Sequence, residues 1–337
     1  MDHFAPRVTL TTAWSYRGFE AVVLENEHLR LTVLPGHGAK IVELVSKRAG
    51  RDLLYHHPRH DVRAPVFGAN ADDWWTGGID VVAPTGHPCL VGGERLPFLG
   101  EFWSQAWDSA IEEDGPDHAV VRLSCGGVIT PLRIELRLEL YAGESSVRAQ
   151  YRLTNTGYEP VPFMWGIHPS LAVRPGARIQ APAAHCVLAE GHAELGLRSG
   201  AEFTWPDLRL PDGRTIDLSV ARAPSPPSWE LAFLTGLSGG WLAVTDPTTR
   251  TGFAMSFDPA ILPVVWLWGV YGGWRGLYTV AIEPWTSYPA RLDQAIAAGR
   301  HRTLAPGQAL QTEIRFIAFV GLGSVSGIDA DGQVHGL

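Results

Sequence analysis

The stretch Arg133-Ile134-Glu135-Leu136-Arg137-Leu138-Glu139-Leu140 alternates charged and aliphatic residues without a break. A helix would scatter those aliphatics around its axis. A strand, with its two-residue period, puts them on one face and the charges on the other. Ala142-Gly143-Glu144-Ser145 then supplies turn chemistry, and Ser146-Val147-Arg148-Ala149-Gln150-Tyr151-Arg152-Leu153 alternates again. The pair predicts an antiparallel hairpin with one wet face. Further strands are expected over Leu29–Leu34, Lys40–Val45, Asp52–Tyr55, Ala119–Ser124, Trp241–Thr245, Phe253–Phe257 and Thr312–Val320. Thirty-seven glycines and twenty-five prolines punctuate these short segments, as a turn-rich β-protein requires.

Helical signals are thin: a turn or two over Leu292–Ala298 and a short irregular helix over Pro58–Val66. Ala221–Trp229, with its Pro-Ser-Pro-Pro run, reads as a rigid surface connection. No composition break and no internal repeat interrupts the chain. The expectation is an all-β protein, a large antiparallel sandwich forming a single domain over residues 1–337. A chain of this length removes roughly three-quarters of its unfolded surface from water, enough for a sizeable core.

A net charge of −8 and scattered arginines argue against a nucleic-acid partner, which would need a dense cationic face. The longest apolar stretch, Ile261–Val270, is too short to span a bilayer, and Met1–Pro6 shows no signal-peptide start. Cys89, Cys125 and Cys186 are few, odd in number and far apart, which suits free thiols in a reducing compartment. A cytoplasmic location, without membrane or nucleic-acid partners and as a monomer or homodimer, is the expectation. Thirteen tryptophans are mostly core material, yet indole is also the preferred platform for the C–H face of a sugar ring.

Two segments carry candidate chemistry. Phe163-Met164-Trp165-Gly166-Ile167-His168-Pro169 is an apolar run closing on one histidine, a group able to transfer protons near neutrality. A buried structural imidazole is the ordinary alternative. Tyr278-Thr279-Val280-Ala281-Ile282-Glu283-Pro284-Trp285 ends a strongly apolar strand on a lone carboxylate. Such burial costs several kcal/mol unless the group is paired or raised in pKa, and chains tolerate it mainly at functional sites. A structural salt bridge to an arginine would account for it equally. Arg63, Asn70, Asp72, Asp80 and Glu101 lie in a polar, glycine-bearing stretch with Trp74, Trp75 and Trp103 that looks like a substrate-binding loop, though solvated loop polarity explains many of them as well. His56-His57-x-x-His60 gathers three histidines on an extended chain, where adjacent side chains point apart, so no metal site is expected.

Together the two segments resemble the aldose 1-epimerase (galactose mutarotase) superfamily, through Trp-Gly-x-His-Pro at mid-chain and Ile-Glu-Pro-Trp-Thr-Ser near the end. Leu34-Pro35-Gly36-His37-Gly38-Ala39-Lys40-Ile41, the block from Gly77-Gly78-Ile79-Asp80 to Trp107, and Leu304-Ala305-Pro306-Gly307-Gln308 are similar to further family motifs in the same order. The resemblance implies a two-sheet β-supersandwich with a sugar in an open cleft and no cofactor. It makes Glu283 the base toward the anomeric hydroxyl and His168 the acid toward the ring oxygen, and mutarotation the activity. The functional atoms would stand about a sugar ring's width apart. At least two of Trp74, Trp103, Trp165, Trp268, Trp274 and Trp285 should line the cleft. The expected binding set is Arg63, Asn70, Asp80, His87, Glu101, Trp103, Trp165 and Trp274. One position departs from the pattern: Leu99 stands where the family carries a second histidine, so that donor must come from His87, His37 or Arg63, or be missing. Leu99 keeps two alternatives open: a non-catalytic sugar-binding or sensing protein, and an isomerase or lyase of a modified sugar.

Overall fold

Alternation sorts the strand Leu132–Tyr141 as its period requires: Ile134, Leu136, Leu138 and Leu140 are buried, while Arg133, Glu135 and Arg137 keep contact with solvent. It pairs antiparallel with Ser146–Asn155, setting Leu136 opposite Tyr151 and Leu138 opposite Ala149. The computed structural model describes residues 7–189 and 197–336. Residues 1–6, on which the expectation of no leader rests, lie outside the described residues.

That hairpin belongs to an eight-stranded sheet, and a twelve-stranded sheet packs against it. Named strands pair antiparallel throughout, as the alternation predicts for a large β-sandwich and as the resemblance to the galactose mutarotase-like fold implies. Ile167, Leu267 and Ile282 from the larger sheet share one core with Leu136, Ile314 and Phe316 from the smaller. Among the described residues the helices are Ala71–Trp74 and Leu292–Ala297. The second matches its expected place. Pro58–Val66, expected as an irregular helix, is irregular coil instead. Pro58 and Pro65 bias the residues before them away from helical backbone, and Arg59 spends its guanidinium on the carbonyl of Arg275. No described helix is long and apolar enough to cross a membrane, and Cys89, Cys125 and Cys186 are buried thiols.

Four neighbouring strands of the large sheet position the candidate chemistry: Gly78–Val82, Gly166–Leu171, Tyr278–Trp285 and Val264–Tyr271. One alternate set of their side chains, including Ile79, Ile167, Ile282 and Leu267, enters the shared core. The other set projects from the opposite face. Register brings Asp80 opposite His168 and Trp266 opposite Glu283. The pairs Gly166–Trp285 and Ser170–Ala281 bracket His168 and Glu283, setting those two opposite each other. Asp80, His168, Glu283 and Trp266 therefore form a single row across the sheet.

Candidate active site

Within that row the imidazole Nε2 of His168 lies 3.6 Å from Oε1 of Glu283. Both are buried, at 7 % and 2 % exposure. Facing residues on adjacent strands meet this closely as a matter of sheet geometry. Ser170, two residues on and therefore on the same face, places its hydroxyl 3.3 Å from Nδ1 of His168. The indole N–H of Trp285, likewise two residues from Glu283, donates to Oε2 at 2.9 Å. Burial pushes the Glu283 carboxyl above its ordinary range; the neighbouring His168 and the Trp285 hydrogen bond pull it back down, less strongly. A carboxylate raised in this way is a stronger base than a solvated one.

Above the pair opens a cavity of about 470 Å³, within the range of small-molecule sites. Trp75, Trp229, Trp266, Trp268 and Trp274 wall it. Trp75 meets His168 edge-on at 6.3 Å between ring centroids and stacks on Tyr55 at 5.5 Å. Trp266 stacks on Trp285 at 3.8 Å with the planes 8° apart. Two glycines make this packing possible. A Cβ on Gly166 would lie 2.3 Å from the Trp285 ring, and one on Gly86 would lie 2.7 Å from the Trp266 ring. Asn70, Asp72 and His87 supply polar lining beyond the central pair. Burial raises the Asp72 carboxyl, and burial lowers His87 to about 4, so the His87 ring is neutral at physiological pH.

Of the expected binding residues, Asn70, His87 and Trp274 line the cavity with His168 and Glu283. The others stand elsewhere, for reasons of pairing. Asp80 holds both carboxylate oxygens on the buried Lys40 ammonium, at 2.6 and 2.7 Å. Glu101, fully buried, accepts the N–H groups of Val128, Ile129 and Thr130 and the Thr130 hydroxyl, anchoring that loop. Trp103 is buried and donates its indole N–H to the Phe98 carbonyl. Trp165 is fully buried and packs on Tyr151. Arg63 lies over Trp74 and donates to the carbonyl of Asp73.

Among the six tryptophans named from the sequence, Trp268 and Trp274 line the cavity. Trp75 and Asp72, named from the sequence only as part of a candidate substrate-binding loop, also line it, and Trp229, Trp266 and Ser170 were not named for the site. For Trp266 and Ser170 a signal existed, since period-two alternation places them on the face of Trp268 and His168. Leu99 reaches the cavity, and of its three candidate substitutes His87 alone does so; His37 is buried elsewhere. The three-histidine segment divides: His56 bonds Asp52 at 2.8 Å, while His57 and His60 stack at 3.7 Å. Among the described residues no group of three or more metal-ligating side chains is gathered.

A family described as a domain of unknown function (DUF4432) matches residues 16–317. No curated protein matches the sequence. Solved structures of the same fold do. A candidate aldose 1-epimerase of Klebsiella pneumoniae is 16% identical, with a TM-score of 0.73, covering 92% of this chain and 83% of that one. A galactose mutarotase-like protein of Clostridium acetobutylicum is 15% identical, with a TM-score of 0.69, covering 94% and 99%. The Slr1438 protein of Synechocystis sp. PCC 6803 is 19% identical, with a TM-score of 0.67, covering 92% and 99%. At such identities the likeness is one of fold.

Proposed function

We propose that this chain, which belongs to the family described as a domain of unknown function (DUF4432), interconverts the anomers of a free sugar by acid/base ring opening. The observation that carries the reading is the approach of His168 to Glu283, 3.6 Å apart on the floor of a tryptophan-walled cavity. Glu283 takes the proton of the anomeric hydroxyl, and that oxygen's electron pair becomes the second bond of a carbonyl. The bond from the anomeric carbon to the ring oxygen breaks, and the ring oxygen takes its proton from the His168 imidazolium. Rotation about the first carbon–carbon bond and the reverse transfers give the other anomer. No electrons are exchanged with a cofactor, and both protons return.

The spacing is shorter than the ring's width expected from the sequence, and the chemistry explains why. The two oxygens that exchange protons are bonded to the same anomeric carbon. An acid and a base on adjacent strands can reach both, whereas groups a ring apart would address opposite edges of the sugar. The fold of the mutarotase-like neighbours supports the same reading without fixing the activity.

Saturation-transfer NMR across a panel of reducing sugars tests the proposal. Glu283→Gln should lower anomer exchange at least ~100-fold, since the amide keeps the shape but cannot take the proton. Sugar binding, followed by tryptophan fluorescence, should survive. Exchange near the wild-type rate in that variant overturns the assignment. Wild-type binding without any catalysed exchange would instead favour a sugar-binding protein on this scaffold.

A further inference from the structure

We infer, on the anomer-exchange reading above, that the cavity refuses anionic sugars. Asp72 is the residue that decides this: its carboxylate takes a hydroxyl or ammonium donor of the substrate. The charged and titratable side chains of the lining are Asp72, Glu283, His168 and His87. Among the described residues no lysine or arginine lines the cavity. His87, lowered to about 4 by burial, is neutral at physiological pH. A bound ligand therefore faces two carboxyls against at most one imidazolium, that of His168.

Asp72 and Asp73 are adjacent on the short helix Ala71–Trp74, and their side chains are used differently. The exposed Asp73 carboxylate accepts from Arg275 at 2.8 Å and from Asn70 at 3.2 Å. The same Arg275 guanidinium donates to the carbonyl of Asp72 at 2.6 Å, and Arg63 donates to that of Asp73 at 2.6 Å. Both cations thus fix the backbone of this turn and stand outside the lining. The half-buried Asp72 carboxylate accepts no hydrogen bond and forms no ion pair among the described residues. Burial lifts its carboxyl above the ordinary range; Arg275 and His168 pull it down, and Asp73 adds to the rise. A carboxylate kept from water without a protein donor is stabilised by a donor that a ligand brings. An anionic ligand does the reverse. It is either repelled by the two carboxyls or bound with their protons retained, and a protonated Glu283 cannot take the anomeric proton.

Three matched series test this: D-glucose, D-glucosamine and D-glucuronate, with their galacto and manno counterparts. Anomer exchange is read by NMR and binding by tryptophan fluorescence, both at pH 7. In each series that binds, the neutral or the amino sugar should bind at least ~10-fold more tightly than the uronate, since like-charge juxtaposition is strongly unfavourable. Which of the two leads identifies the donor as hydroxyl or ammonium. Asp72→Asn keeps the size and removes the charge, and should narrow the gap about tenfold, whereas Asp72→Glu should preserve it. For the preferred sugar Asp72→Asn should raise KM more than it lowers kcat, because the carboxylate binds and takes no part in proton transfer. A uronate bound as tightly as its neutral parent in every series that binds, an unchanged gap in Asp72→Asn, or a loss confined to kcat in that variant overturns the inference while leaving anomer exchange intact. Refusal of the uronate in binding, relaxed in Asp72→Asn, with no exchange of any sugar upholds the charge selection and overturns the catalytic reading instead. No binding of any of these sugars overturns both.

Discussion

Replacing Glu283 with glutamine should make the folded protein more stable at alkaline pH, and the structure gives the sign of the gain. The carboxyl is 2 % exposed. It receives one hydrogen bond, from Trp285 at 2.9 Å, and has the His168 imidazole at 3.6 Å, beyond hydrogen-bond distance. Those contacts do not offset its desolvation, which is why its folded-state pKa stands above the unfolded value of 4.5. A raised carboxyl contributes stability below its unfolded pKa, and that contribution is lost as pH rises through the folded pKa. The wild type therefore carries a burial penalty at pH 8 that it largely escapes at pH 4.5. Glutamine is neutral at both and can still accept the Trp285 N–H. Single stabilising substitutions commonly gain about 0.5–2 kcal/mol. Urea unfolding should show a gain of that order for Glu283→Gln at pH 8, shrinking toward zero at pH 4.5. A variant no more stable than wild type at pH 8, or equally stabilised at both pH values, would refute the reasoning.

Two further substitutions probe the scaffold beneath the site. Lys40→Met leaves the Asp80 carboxylate buried without its cation and should cost about 3–5 kcal/mol in urea unfolding, part of which Asp80→Asn in the same background restores. Gly166→Ala drives a methyl to 2.3 Å from the Trp285 ring, whose retreat the stacked Trp266 opposes. Chemical denaturation should register about 1–3 kcal/mol of overpacking, and anomer exchange should fall with it, because the indole that holds Glu283 must move.

How much of this was legible in the sequence depends on the range over which each feature is encoded. Strand identity is local: alternation marks Leu132–Tyr141 and Ser146–Asn155 because each side chain's face follows from its neighbours two residues away. His168 and Glu283 were recognisable because each closes an apolar run where a polar group is expensive. The row that joins them was not legible. It depends on the order in which four strands from distant parts of the chain lie side by side, and on a register fixed by Gly166 opposite Trp285. The same limit explains the expected binding residues that the fold keeps out of this cavity. Asp80 and Glu101 are buried carboxylates, and burial alone signals that a partner must exist, not which one. Lys40 takes the first, and the amides of residues 128–130 take the second, through contacts that no local pattern carries. His87 has no such internal claim on its ring, and it is the one among the expected charged or titratable binding residues that the fold brings to the cavity. Internal pairing thus accounts for Asp80 and Glu101 as scaffold, whereas the His87 ring is presented to the cavity.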